Sequence, residues 1–388
     1  MVLGGSPAYF APGPNGSVRE VIKSVPIRCC AVFVSLWTVF ALATAPASGQ
    51  DPHVVRPPDV RHHVAYRAPL GPRIDGHLNE TSWQLAKWTE PFVDIEDASS
   101  PSPLLTRVKL LWDDEHLYVG ADLVEPHVWG TLTKRDTTLY LENDFEIFLD
   151  PDGDAHNYYE LEINALGTVW DLMLTKPYRD QGSPISGWDI PGLQSAVAVR
   201  GTVNDPSDED SGWSVEMAIP WSALTEQRAP HPGDQWRVNF SRVEWPLAIT
   251  DSGYRKVVDE TTGRAEREQN WVWSAQGAVN MHMPERWGFV QFSRIVVGRG
   301  REAFVPPADL GVRWALWEIY HAQRAYRREH EGYATGLGEL GMSSLVLQDG
   351  SALAVNLDVT DEGFEASAAG AEGRPVWHIR QDGRIWKP

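Results

Sequence analysis

The chain has 388 residues, with 53 acidic and 34 basic side chains, a net charge of −19, 18 Trp and 2 Cys. At ~100–200 residues per domain this length fits one large domain plus a smaller one, or two ordinary domains, and a hydrophobic content of 42 % excludes wholesale disorder. The acidic excess argues against nucleic acid and against an anionic membrane surface, both of which are met by Lys and Arg; with bases set aside, abundant Trp, a flat amphipathic ring, points toward sugars.

Residues 1–47 read as a signal peptide. Arg19, Lys23 and Arg28 precede an apolar run over residues 29–43, too short for a comfortable membrane span, and Ala43-Thr44-Ala45 and Ala45-Pro46-Ala47 supply small-residue cleavage patterns. The alternative is an uncleaved N-terminal anchor. Cys29 and Cys30 both lie here, so the exported chain has neither thiol nor disulfide. The expectation is an extracytoplasmic protein without a stable membrane span in its mature chain. Residues 48–64, with several Pro and His, read as a linker.

From residue 65 to 294 short alternating runs recur between Gly, Pro and Asp turns. They cover residues 107–112, 117–121, 145–150, 158–165, 170–175, 197–203, 213–219, 236–244, 271–274 and 287–293. Many short strands with brief helical patterns, at 79–87 and 220–224, predict a mainly β fold, an antiparallel β-sandwich. Residues 295–308 form a second linker. A helix is expected from Asp309 to about Glu331, with Ala315, Ile319, Ala322 and Tyr326 on one stripe. Strands at 376–380 and 384–386 complete a small α+β unit over residues 309–388, whose role the sequence leaves open.

Strand parity separates two faces in the central runs. Phe145, Ile147 and Leu149 alternate with Asp144, Glu146, Phe148 and Asp150, and Tyr159, Leu161 and Ile163 alternate with Tyr158, Glu160, Glu162 and Asn164. The first set of each run is core. The second gathers carboxylates, an amide and aromatics, which suits sugar hydroxyls over a flat apolar surface. Parity alone favours the plainer reading, a solvated outer face. Asp150-Pro151-Asp152-Gly153-Asp154 alternates carboxylates through a tight turn and reads either as a simple Asx-rich turn or as a Ca²⁺ loop held by Asp150, Asp152 and Asp154. Met281-His282-Met283 offers side chains found as haem axial ligands, though such a His is usually a loop or core residue. Arg242 and Glu244 end an apolar strand face in a charge pair, as a pocket wall or a buried ion pair. Hydrolase, metalloprotease, phosphate-loop and dinucleotide motifs are absent, so the chain is not expected to be an enzyme.

The order of motifs resembles the family 9 carbohydrate-binding modules, and more closely the bacterial family-9-like proteins. The series is Ile74-Asp75-Gly76, Leu78, Glu80 and Trp83; Leu111-Trp112-Asp113-Asp114 and Leu117-Tyr118-Val119; Asn143 to Asp150; Tyr158-Tyr159-Glu160 and Ile163-Asn164; Gly212-Trp213, Val215-Glu216 and Ile219-Pro220-Trp221; and His282, Pro284-Glu285-Arg286-Trp287-Gly288. The resemblance implies a DOMON-like β-sandwich, structural Ca²⁺, and recognition of sugar chain ends between two aromatic rings. It places Glu146 on a sugar-contacting Glu and Tyr140 on one aromatic platform. Glu162 stands where the family carries a sugar-binding Arg, and the second platform Trp falls near Met281.

The reading is an exported carbohydrate-binding protein whose partner is an oligo- or polysaccharide and which assists glycan breakdown. Tyr140, Trp170 or Trp188 would stack on the sugar; Glu146, Glu162, Asn164 and His282 would make the polar contacts. The alternatives are a haem-binding electron-transfer protein and an envelope scaffold that has lost sugar binding.

Overall fold

Period-two alternation through the middle of the chain builds strands whose two faces meet different surroundings. The computed structural model describes residues 51–224, 229–251, 253–369 and 375–388. The expected signal peptide, with Cys29, Cys30 and Trp37, lies outside the described residues.

In chain order the elements are β1 (His53–Val54), β2 (His62–Arg67), α1 (Thr81–Leu85), β3 (Val93–Asp94), β4 (Thr106–Trp112), β5 (His116–Leu123), β6 (Asp144–Asp150), β7 (Tyr158–Asn164), β8 (Val169–Leu174), β9 (Pro184–Ile185), β10 (Gln194–Arg200) and β11 (Gly212–Pro220). They continue with β12 (Gln235–Glu244), β13 (Leu247–Thr250), β14 (Gly253–Lys256), β15 (Gln269–Val272), β16 (Gly288–Val296), α2 (Leu310–Glu329), β17 (Leu345–Val346), β18 (Ala352–Val359), β19 (Phe364–Ala369), β20 (Val376–Arg380) and β21 (Ile385–Trp386). The larger sheet runs β10-β11-β5-β4-β2-β16-β12-β6-β7-β8-β9, with β15 and β3 branching from β12. Its two halves fold over one core: Val108, Leu110, Val119 and Val215 pack with Phe145, Ile147, Leu161 and Phe240. The fold is the expected β-sandwich, antiparallel except where β2 enters between β4 and β16 and pairs with both in parallel.

Two of the sequence motifs meet here. Glu216 is fully buried and accepts the backbone N–H groups of Asp75 and Gly76, at 2.9 and 3.0 Å, and the indole N–H of Trp83 at 2.7 Å. Gly76 has φ +86°, and a Cβ there would lie 2.6 Å from the Val197 carbonyl carbon, so the turn requires glycine. Trp112, Trp213 and Trp221 are core residues, as expected. Arg242 is a buried ion pair: it contacts Glu125 at 2.5 Å and Glu244 at 2.8 Å, and donates to Thr106 and the Val124 carbonyl.

The second sheet runs β1-β17-β18-β19-β20-β21, so His53 and Val54, within the stretch read as a linker, extend the C-terminal sheet. Helix α2 packs on it through Val312, Ala315, Leu316, Ile319 and Tyr320. Its buried stripe turns through Tyr320 and Gln323, and Tyr326 instead stacks on His330 with centroids 3.9 Å apart. No helix among the described residues is long and apolar enough to cross a membrane.

The C-terminal unit docks on two loops of the sandwich. At the loop after β6, Arg384 contacts Asp154 at 3.0 Å, Ile385 N donates to the Asp154 carbonyl, and Arg313 donates to the Gly153 carbonyl. At the turn Tyr178–Asp180, Arg179 makes a bidentate pair with Glu285 at 2.6 and 2.9 Å, while Asp180 accepts from the Tyr320 hydroxyl and from Arg324.

Candidate functional site

The second face of β6, β7, β8 and β12 carries the polar residues singled out in the sequence. Register sets them in rows: Ser241, Glu146, Glu162 and Trp170 are successive cross-strand neighbours, and Asp144 faces Asn164 in the adjoining row. The expected solvated outer face is overturned, because this face is buried. Asp144 and Asn164 are 0 % exposed, Glu162 1 % and Glu146 4 %. The cover at one end is a second apolar cluster in which Ile95, Val272, Met281 and Trp287 pack on Phe148, Tyr158, Leu172 and Leu174. Parity fixes which residues share a face, but the burial of that face depends on loops distant in sequence.

At the other end the cover is aromatic. The 3-10 turn Leu139–Leu141 crosses the carboxylates and presents Tyr140, 44 % exposed. Tyr140 N donates to Glu162 Oε2 at 3.1 Å, Trp245 Nε1 donates to the Tyr140 carbonyl at 2.9 Å, and Lys256 donates to the Leu141 carbonyl. Trp170 lies beside Tyr140, with centroids 6.4 Å apart and planes tilted by 31°. Tyr178, 47 % exposed, stands edge-on to His282 with centroids 4.5 Å apart. The same carboxylates act on both phenols. Burial and then Glu162 raise the pKa of Tyr140, and burial and then Glu160 raise that of Tyr178.

The carboxylates repel one another. Burial pushes Glu146 up to about 7. Burial first, then the neighbouring charges, hold Asp144, Glu160 and Glu162 well above the usual carboxylate range. His282 is pressed down to about 3 by burial and by Arg179, so it is a neutral ring at pH 7; its Nδ1 lies 3.0 Å from the Tyr158 hydroxyl.

The sequence-selected residues are thus partly assembled. Tyr140, Trp170, Glu146 and Glu162 share one patch, and His282 lies on the same sheet face beside Tyr178. Asn164 is there too, but its side chain is engaged: it donates to the Leu132 carbonyl and accepts from Leu166 N and Thr168 N. Trp188 lies elsewhere, packed on Tyr159 of the main core. Met281 is buried under the patch rather than offered as a platform, and Phe148, Tyr158 and Tyr178 pack around His282.

Comparison with known proteins gives the family. The family described as carbohydrate family 9 binding domain-like matches residues 74–294, more than half of the chain. The chain belongs to this family. It is 29 % identical over 156 residues to the exoglucanase XynX of Acetivibrio thermocellus, and 28 % identical over 131 residues to an endo-1,4-beta-xylanase A of Thermoanaerobacterium saccharolyticum. These alignments cover 40 % and 34 % of this chain, and the chain spans only 12 % and 10 % of the relatives' own lengths. Among solved structures, a family 9 carbohydrate-binding module from Caldicellulosiruptor kristjanssonii in complex with cellotriose is 19 % identical, with a TM-score of 0.38, covering 63 % of this chain and 99 % of that one.

The family 9 resemblance also implied structural Ca²⁺. The nearest oxygens of Asp150, Asp152 and Asp154 lie within 4.8 Å of one another, as ligands of a single Ca²⁺ can. Asp150 accepts from Gly153 N and Ala155 N, each at 3.0 Å, which leaves further lone pairs on both oxygens. Positive charge is already present, because Arg384 pairs with Asp154 and Arg313 reaches Gly153. The residues therefore fit a hard cation through convergence of oxygens, in a loop that the C-terminal unit has already neutralised in part.

Sequence reasoning missed Tyr178 and Trp245. Neither lies in a motif. Trp245 directly follows β12, and its turn-pinning role becomes visible only when the chain brings it under Tyr140.

Proposed function

We propose that this chain is an exported, non-catalytic carbohydrate-binding protein. A saccharide lies against Tyr140 and Trp170, with Tyr178 completing the patch and Glu146, Glu162, Asn164 and His282 forming its floor. Family membership supports the ligand class. The observation that carries the assignment is the aromatic patch itself: two half-exposed phenols and an indole, held by a pinned turn over a polar floor. The apolar face of a pyranose placed on such rings removes apolar area from water at about 25 cal/mol per Å², and hydroxyls seek acceptors at the patch edge.

In this reading the ligand is an oligo- or polysaccharide of plant cell-wall type, by analogy with the substrates named for the relatives, and the protein assists enzymes that degrade it. Ca²⁺ at Asp150, Asp152 and Asp154 would stiffen the loop joining β6 to β7. Affinity on the order of micromolar to millimolar is expected for a single patch of this size. Titration calorimetry with cello- and xylo-oligosaccharides tests the assignment. Wild type should bind at least one series, and Tyr140→Ala with Trp170→Ala should lose at least about tenfold in affinity with an unchanged far-UV spectrum. Full affinity in the double variant refutes the site.

A further inference from the structure

Three groups of carboxylates in the described residues converge closely enough to share one ion. Two already have a cation. Arg384 pairs with Asp154 in the loop after β6, and Arg135 pairs with Asp171, with Asp189 at 3.1 Å and with Asp136 at 3.6 Å. The third, Asp144, Glu146 and Glu162, is the most deeply buried, and among the described residues no Lys, Arg or His is ion-paired with it. Both oxygens of Asp144, Oε2 of Glu146 and Oε1 of Glu162 lack a well-formed hydrogen bond; the donors that face them are Val243 N for Asp144 and the Ser241 hydroxyl for Glu146.

Such an arrangement is costly. Glu146 and Glu162 are directly opposed across β6 and β7, where like charges destabilise, and a buried carboxylate without a donor forfeits its hydration. An independent group points the same way. The Ser241 hydroxyl, on the neighbouring strand opposite Glu146, is fully buried, faces Glu146 and makes no well-formed hydrogen bond. Its proton is turned toward Glu146, and its oxygen lone pairs are left available as a further neutral ligand. Oxygen ligands 2.3–2.6 Å from a Ca²⁺ ion stand at most about 5 Å apart, and the three carboxylates meet this limit at 4.8 Å.

We propose that Asp144, Glu146, Glu162 and Ser241 form a binding site for a divalent cation of the Ca²⁺ class, separate from the loop of Asp150, Asp152 and Asp154. All donors are oxygen and three are anionic, the set a hard cation selects over transition metals. The ion converts mutual repulsion into coordination. It also fixes Glu162, whose Oε2 accepts the N–H of Tyr140, so occupancy orders the turn that carries the exposed ring. That last consequence rests on the sugar reading; the cation site itself does not.

The test uses the full exported chain, stripped with chelator and titrated with Ca²⁺ alone, followed by calorimetry and thermal unfolding. The isosteric variants Glu162→Gln and Asp144→Asn each remove one charge from the site, and Asp152→Asn removes an exposed ligand from the other loop. The expected result is that Ca²⁺ raises the melting temperature of wild type and of Asp152→Asn, and that the rise is clearly smaller in Glu162→Gln and Asp144→Asn, where only the loop of Asp150, Asp152 and Asp154 is left to bind. In chelator the two site variants should melt at or above wild type, because they relieve repulsion; a merely structural role for the carboxylates predicts the opposite sign. The proposal is overturned if stripped wild type shows no response to Ca²⁺, if the response disappears in Asp152→Asn alone, or if it is undiminished in either site variant. Should either site variant fail to fold even in Ca²⁺, Ser241→Ala decides: Ca²⁺ affinity reduced severalfold supports the site, and unchanged affinity overturns it. Sugar binding is measured separately, so loss of the cation response and loss of the saccharide are distinguishable.

Discussion

Two buried acidic regions lie within this molecule, and they are built on opposite principles. At the seam with the C-terminal unit, Glu285 meets Arg179 in a bidentate pair and Asp180 meets Arg324 and Tyr320. Beneath Tyr140, Asp144, Glu146 and Glu162 meet one another and, among the described residues, pair with no cationic side chain. The titration of the two regions reflects this. Burial alone would raise Glu285, but Arg179 and then His321 bring it down to about 2, whereas Glu146 rises to about 7. A compensated carboxylate is part of the scaffold. An uncompensated one is raised in pKa by its burial and its acidic neighbours.

The comparison can be broken most forcefully at Arg179. Arg179→Ala leaves Glu285 and Asp180 buried with fewer partners, and a loss of about 3–5 kcal/mol is expected in urea unfolding; a loss below about 1 kcal/mol would mean that the seam is not held by compensation. Acid is the next probe. The folded pKa of Glu285 lies below its ordinary value of 4.5, so its stabilisation is complete above about pH 4.5 and is lost as pH falls toward 2. The groups facing it are Arg179 and His321, with Asp180, Tyr320 and Arg324 in the same network. A shift of that size corresponds to about 3 kcal/mol, and Glu285→Gln should remove that part of the acid dependence in unfolding curves taken between pH 5 and 2.

Smaller effects are expected toward the aromatic patch. Asn164→Ala strands Leu166 N and Thr168 N at the end of β7, while the Leu132 carbonyl keeps the Thr168 hydroxyl, and should cost about 1–3 kcal/mol, with any fall in sugar affinity following from displacement of the floor. Tyr140→Ala, at a half-exposed ring, should change stability by less than about 1 kcal/mol and be felt in saccharide affinity instead. A large stability loss there, with affinity unchanged, would place Tyr140 among the packing residues.

Much of the sandwich was legible because strand periodicity is local. The alternation of Phe145, Ile147 and Leu149 with Asp144 and Glu146 needs only the pleat, and the motifs around Trp83 and Glu216 meet through hydrogen bonds in the fold. The same locality explains the errors. The alternation does not state that the turn just before β6, residues 139–141, folds back over its second face, or that residues 281–287 return over it from far along the chain, so a buried acidic floor reads as a solvated surface. Likewise, the Asp150 to Asp154 turn shows its carboxylates in sequence but not Arg384, more than two hundred residues later. Trp188 and Trp170 are both Trp after a turn, and only the packing separates a core ring from a patch ring.

The sequence by itself determined the mainly β class, the family, and which side chains share each strand face, because these follow from backbone geometry and short-range pattern. Tertiary structure decided which of those faces is covered, which carboxylates find a guanidinium and which do not, and that Tyr178 completes the patch. Burial and charge compensation are set by neighbours in space, which short-range pattern does not name.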